Sequence, residues 1–363
     1  MRVLFSLPGF HRYARGAEIA FLSIARELAK AGDEVTLIGA GRPDGPTPYE
    51  FLRASCLPRE YFEAFPLVPV LRSEWAYEEL TFAPSLLLKY RPTSYDVTVT
   101  CSYPFTNWIL RRPVFGRRRP RHVFVTQNGD WPAQARNSEY RFFSCDGLVC
   151  TNPDFYERNK SRWRCRIIPN GVDCDRFQPG SSERERFGLP DGRLIVLMVS
   201  ALIPSKRVEV GIEAVSRLQN AHLVVAGDGP QRQVLDDLAT RILPGRFTRL
   251  SLTADKMPDL YRSADLFLHL SKDEPFGNVF VEAMACGLPI VAHDSPRSRW
   301  IVGNDEFLVD TNDTLAIAAS IMMASGALSS DRERRVAKAA EFSWSKIGQM
   351  YREFLREIVE KRL

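Results

Sequence analysis

No apolar run in this chain approaches the ~18 consecutive residues that a membrane-spanning helix requires, so a transmembrane protein is not expected. The opening Met-Arg-Val-Leu-Phe-Ser-Leu reads as a strand, without the pattern of a secretory leader. A disulfide framework is missing as well: the seven cysteines are odd in number and nowhere form a C-x-x-C pair, which fits reduced thiols in a cytoplasmic protein. Cys145, Cys150, Cys165 and Cys174 lie at gaps unlike those of zinc knuckles, so buried strand thiols are expected there and no metal. Internal repeats are not visible. Neither aromatic interleaving nor a helix-turn-helix pattern accompanies the basic residues, so nucleic acid is not an expected partner.

What is present points to two folded domains. A chain of 363 residues is too long for one ordinary core, and its 45% hydrophobic content supplies two. The net charge of +5 is modest, but Arg111, Arg112, Arg117, Arg118, Arg119 and Arg121 crowd around Pro113 and Pro120. That segment, 111–121, reads either as a solvated loop or as a contact for anionic lipid headgroups or a phosphorylated acceptor, which would place the protein at the cytoplasmic face of a membrane.

Strand and helix signals alternate at the spacing of βαβ units, predicting α/β architecture with parallel strands. Val3–Leu7 is followed by a helix over Ala17–Lys30 and a strand over Glu34–Gly39. Phe21, Leu22, Ala25, Leu28 and Ala29 share one face of that helix and should pack on the sheet. Residues 41–94 break the pattern with prolines and aromatics, among them Phe62, Phe65, Trp75, Tyr77 and Phe82, which read as packing residues or as an apolar acceptor channel. Strands resume at Asp96–Cys101, His122–Thr126 and Gly147–Thr151. After a charged linker, Gln178–Gly192, a second Rossmann-like unit opens at Leu194–Ser200 and continues with Ala221–Ala226, Asp265–Leu270 and Pro289–Ala292. Ile347, Met350, Tyr351, Phe354, Leu355 and Ile358 predict a terminal helix from about Ser345.

The segment Ser271-Lys-Asp-Glu274-Pro-Phe-Gly277-Asn-Val-Phe-Val-Glu282 places two glutamates eight residues apart across a turn. Pro275 and Gly277 exclude a continuous helix, Asn278 reads as an N-cap and Gly287 as a stop, so Glu274 should sit in a loop and Glu282 on a short helix. The amides of Phe276, Gly277, Asn278 and Val279 and the positive helix end would then face one spot, which suits an anionic, hydroxyl-rich ligand such as a nucleotide sugar.

This segment resembles the E-x7-E motif of glycosyltransferase family four, retaining enzymes of the GT-B fold. Asn170-Gly171-Val172-Asp173 with Phe177 is similar to that family's N-G-V-D junction, Ser200–Lys206 to its donor-phosphate loop, and Ala226-Gly-Asp-Gly229-Pro230 to the glycine turn that follows. The resemblance implies two Rossmann-like βαβ domains facing a central cleft. An acceptor-side domain would span 1–177, with the terminal helix at about 345–363 packing back on it, and a nucleotide-sugar domain 178–344. It also implies roles. Lys206 and Glu274 would be catalytic; Gly16, Lys206, Arg207, Glu274, Phe276, Gly277, Asn278, Val279 and Glu282 would bind the donor, Lys206 and Arg207 neutralising the departing diphosphate without a metal. The co-substrate would be a UDP- or GDP-sugar with no further cofactor, and the acceptor a glycan or lipid-linked saccharide.

Two departures from the family pattern stand out. Its arginine before the phosphate lysine is replaced near Ser200 or Ala201, with Arg207 as the substitute, and its histidine after the strand at 122–126 is replaced by Gln127-Asn128-Gly129-Asp130. Asp130 is either an acceptor-side group that positions or deprotonates a hydroxyl, or an exposed turn aspartate. Asp173-Cys-Asp175 matches a D-x-D metal motif formally but lies within the junction, not after a donor strand. The alternative functions are a degenerate GT-B partner subunit that binds a nucleotide or glycan without turnover, and a sugar-nucleotide epimerase.

Overall fold

A computed structural model describes residues 1–135, 138–326 and 329–360. The chain forms two compact units, one comprising Met1–Asn170 with Trp344–Leu363, the other Gly171–Ser343. The first holds a seven-stranded sheet of β1 (Arg2–Ser6), β2 (Glu34–Gly39), β3 (Glu50–Arg53), β4 (Val97–Thr100), β5 (Arg121–Val125), β6 (Gly147–Cys150) and β7 (Cys165–Ile167), in the order β3-β2-β1-β4-β5-β6-β7. The second holds β8 (Leu194–Val199), β9 (Ala221–Ala226), β10 (Phe247–Leu250), β11 (Leu266–His269), β12 (Ile290–His293) and β13 (Phe307–Val309), in the order β10-β9-β8-β11-β12-β13. Neighbouring strands are parallel in both. The central ones are buried on both faces, and β8 and β9 accordingly read as nearly unbroken apolar runs, while β4, Val-Thr-Val-Thr, alternates in sequence although all four residues are buried.

Each sheet reverses its order at its first strand, between β1 and β4 in one and between β8 and β11 in the other. Ligands of open α/β sheets bind outside the carboxyl ends of the strands at such switch points. Gly16 follows the loop that leaves β1, and the loops leaving β8 and β11 carry Lys206 and Glu274.

In the first unit, Val3, Phe5, Val97, Val99, Val123 and Val125 pack against Phe21, Ile24 and Leu28 of the Gly16–Lys30 helix and against the terminal helix, Trp344–Glu360. Residues 361–363 of the expected terminal helix lie outside the described residues. Close approach depends on glycine: a Cβ at Gly348 would lie 2.4 Å from Cβ of Glu27. The division between units falls between Asn170 and Gly171, not at 177, because Val172 and Phe177 are buried in the second unit's core and the Val172 N–H donates to the Phe342 carbonyl at 2.9 Å. The stretch 41–94 contains β3 and a helix, Glu74–Lys89, started by Ser73, whose hydroxyl accepts the Ala76 N–H. Of its aromatics, Phe62 and Phe82 are buried while Phe65 and Trp75 are exposed.

Candidate active site

The loop leaving β8 is built against the glycine turn after β9. Ser200 N–H donates to the Ala226 carbonyl at 3.1 Å and Leu202 N–H to that of Asp228 at 2.9 Å. A Cβ on Gly227 would lie 1.8 Å from the Ser200 carbonyl oxygen and one on Gly229 2.6 Å from that of Leu202, so both positions must be glycine for the two loops to run together. On this base Pro204–Lys206 forms a 3-10 turn, and Arg207, in the left-handed region at φ 55°, opens the Val208–Ser216 helix. A non-glycine residue there stores about 1–2 kcal/mol of backbone strain.

The loop leaving β11 ends at Gly277, whose φ of 77° caps the Asn278–Ala285 helix. Asn278 is thus the first helical residue, not the cap expected of it, because the left-handed glycine turns the chain in its place. A Cβ at Gly277 would also strike Cγ of Glu274 at 2.9 Å. Arg297 pins this loop from outside, its Nη1 donating to the Glu274 carbonyl at 2.6 Å and to Asp273 Oδ1 at 3.2 Å. The ring of Phe276 is buried against Trp300 and Phe342, and Val279 packs on the same core. These two residues therefore offer the site only backbone.

Lys206 and Glu274 meet. The lysine Nζ donates to Glu274 Oε2, with the two side chains 20% and 19% exposed. His269 Nε2 stands 3.3 Å from the same oxygen. Burial alone would raise the Glu274 pKa, but the contacts with His269 and Lys206 outweigh it and hold the carboxyl down at about 2. Glu282 lies a helical turn further on, its Oε2 accepting the Tyr261 hydroxyl at 2.9 Å, and burial raises its pKa. Arg207 is aimed elsewhere: its Nη2 donates to the Thr311 carbonyl at 2.7 Å. His269, Arg297 and Tyr261 were not among the residues expected from sequence. Only His269 left a signal, as the one polar side chain in Leu266-Phe-Leu-His-Leu270.

Gly16 and Asp130 belong to the first unit. Asp130 is neither an exposed turn residue nor a free base. It is buried, and its two oxygens accept from Arg158 Nη2 and Nε at 2.9 and 3.0 Å and from Asn159 Nδ2 at 2.8 Å. It brackets the Trp131–Gln134 turn to the Pro153–Asn159 helix. Gln127, in the place of the family histidine, exchanges two side-chain hydrogen bonds with Asn170, at 2.6 and 3.0 Å. Asp173 Oδ1 accepts the N–H groups of Asp175 and Arg176, a local turn; no cluster of three metal-ligating side chains exists among the described residues.

The arginine-rich segment divides. Arg111 donates to Asn107 and the Phe142 carbonyl, Arg112 to the Tyr90 carbonyl, and Arg119 and Arg121 pair with Asp146. These four serve the fold. Arg117 and Arg118 remain exposed beside Phe115, which stands fully in solvent at the tip of a tight turn. No helix among the described residues is long and apolar enough to cross a membrane.

Family models account for both units: "Glycosyltransferase Family 4" matches residues 14–176 and "Glycosyl transferases group 1" residues 181–341. The chain belongs to glycosyltransferase family four. Among its relatives is the lipopolysaccharide core biosynthesis glycosyltransferase LpsE of Rhizobium meliloti, 29% identical over 239 residues, 64% of this chain and 67% of LpsE. The chain spans about a third to two thirds of the lengths of the curated relatives it matches first. Sucrose-phosphate synthase of Thermosynechococcus elongatus has a similar structure, with a TM-score of 0.75 at 21% identity over 98% of both chains. HepE of Anabaena, solved with UDP-glucose, gives 0.71 at 20% identity over 98% of this chain and 100% of its own. These likenesses show the GT-B fold.

Proposed function

We propose that this glycosyltransferase moves a sugar, with retention of anomeric configuration and without a metal, from a UDP- or GDP-sugar to an acceptor hydroxyl in glycan, polysaccharide or lipid-linked saccharide synthesis. The observation that carries the reading is the convergence of Lys206, Glu274 and the glycine-capped start of the Asn278–Ala285 helix at the switch point of the second sheet. The bond between the anomeric carbon and the diphosphate oxygen breaks, the bond to the acceptor oxygen forms, and the acceptor proton leaves with the diphosphate. Negative charge grows on that leaving group, where the Lys206 ammonium and the positive N-terminal end of the Asn278–Ala285 helix offset it. Glu274, ionised, accepts from sugar hydroxyls; Glu282 faces the ribose, Gly16 binds the donor as the resemblance implies, and the first unit takes the acceptor.

Retention follows the family pattern, and the nucleotide sugar is supported by the HepE complex, a property of that protein. LpsE is named for lipopolysaccharide core synthesis, which supports a saccharide acceptor. Thermal unfolding with UDP-, GDP- and ADP-sugars tests the donor: one of them raises the melting temperature of the wild type and not that of Lys206→Ala. With that donor, Lys206→Ala and Glu274→Gln should each lower transfer about 10²–10³-fold. Full transfer by both variants would overturn the assignment. The proposal extends to an anionic bilayer, touched through Phe115, Arg117 and Arg118. Phe115→Ser with both arginines changed to Glu should abolish co-sedimentation with phosphatidylglycerol vesicles, and unchanged sedimentation removes the membrane contact.

A further inference from the structure

His269 closes β11 and is 4% exposed. Its ring packs edge-on to Phe280 at 4.7 Å and nearly parallel to Phe267 at 6.2 Å. Nε2 faces Glu274 Oε2 at 3.3 Å, off the line of a directed hydrogen bond, and has no hydrogen-bond partner among the described residues. A buried nitrogen in that state weakens the fold, and the rest of the strand is Leu266-Phe267-Leu268. Its position at the mouth of the switch point points to a functional reason for keeping it.

The reason lies in how Lys206 is shared. Without ligand its ammonium rests on Glu274 Oε2, the oxygen that His269 also faces. A diphosphate arriving at the switch point competes for that ammonium. Were Lys206 to leave with nothing in its place, an ionised and largely enclosed carboxylate would confront the phosphate charge with one cation fewer. We propose that His269 is a positioning residue that holds Glu274 while Lys206 transfers from the carboxylate to the donor diphosphate. Its Nε2–H, present in the imidazolium and in one neutral tautomer, then becomes the directed donor to Oε2 and leaves Oε1 to the sugar. This inference rests on the donor-site reading above.

The test is calorimetric titration of the full chain with UDP, GDP and ADP. His269→Leu fills the space between the two rings without an N–H, and His269→Gln restores an amide N–H at similar reach. Relative to wild type, His269→Leu should weaken the best-bound diphosphate about tenfold, with most of the loss recovered in His269→Gln. In a Glu274→Gln background the leucine substitution should change nothing, since its effect runs through that carboxylate. Equal affinity of wild type and His269→Leu, or the same loss in the Glu274→Gln background, overturns the inference and leaves the donor site standing. A wild type that binds none of the three diphosphates overturns the donor reading and this inference with it. His269→Met, also lacking the N–H, carries the comparison if unfolding scans show that the leucine variant does not fold.

Discussion

Two enclosed carboxyls in this chain are driven in opposite directions by their neighbours. Glu79 accepts the Thr106 N–H at 3.2 Å and bonds the Ser102 side chain, but forms no ion pair among the described residues, and burial pushes its pKa up to about 7. Glu274 is enclosed too, yet His269 and Lys206 hold it at about 2. The consequences for stability have opposite signs. A raised carboxyl favours the fold where it is protonated, so Glu79's contribution is complete below the unfolded value of about 4.3 and is lost as pH climbs through about 7, at a cost approaching about 4 kcal/mol. Glu79→Gln, neutral throughout, should therefore melt close to wild type near pH 4.5 and above it at pH 8; a gap independent of pH would count against a buried charge. Glu274 acts in reverse. Its pairing stabilises above the usual carboxyl range and is lost as pH falls towards about 2, so the deficit of Glu274→Gln should shrink on acidification.

At the scale of elements, what sequence reading recovered and what it missed divide by position in the sheet. Strands β1, β2, β4, β5, β6, β8, β9, β11 and β12 were legible because each is a largely buried run rich in apolar and β-branched residues. The four it missed, β3, β7, β10 and β13, are the sheet edges, where half-exposed residues such as Glu50, Arg53, Arg166 and Arg249 dilute the signal. The Glu74–Lys89 helix was hidden by Pro84 in its interior. The site was legible where it is local: Glu274, Gly277 and Glu282 share one turn and helix. Partners distant in sequence, His269 with Glu274, Gln127 with Asn170 and Tyr261 with Glu282, carry no periodicity that could announce them. Edge strand β13 shows how such a partner matters. Glu306, directly before it, accepts the Ile290 N–H of β12 at 2.9 Å and Arg335 Nε at 2.7 Å, with side chains 0% and 3% exposed. Breaking a buried pair strands the other charge, so Glu306→Ala should lower the unfolding free energy by about 3–5 kcal/mol in denaturant titration. A loss below about 1 kcal/mol, as for surface pairs, would show the pair to be hydrated.

For the molecule as a whole, the second unit is one continuous stretch, Gly171–Ser343, whereas the first is completed by a helix from the far end of the chain. That helix brings Ile347, Tyr351, Phe354, Leu355 and Ile358 into the core. Arg352 Nε reaches Asp33 Oδ2 at 2.7 Å, and Glu357 accepts from Arg164 and Arg166. Five buried apolar side chains at about 1.5–3 kcal/mol each amount to roughly 8–15 kcal/mol, as much as the net stability of an ordinary domain. Residues 1–170 alone should therefore give no cooperative melt by circular dichroism, while 171–343 alone should. The chain enters and leaves the second unit side by side, since Val172 bonds to Phe342 at 2.9 Å and pairs with Ser343. A short Gly/Ser linker can therefore join 170 to 344, and this shortened chain should regain a cooperative transition. If 1–170 melts cooperatively without the helix, the terminal segment is dispensable. If the linked form fails as well, the first unit depends on the second for more than the return of its own helix.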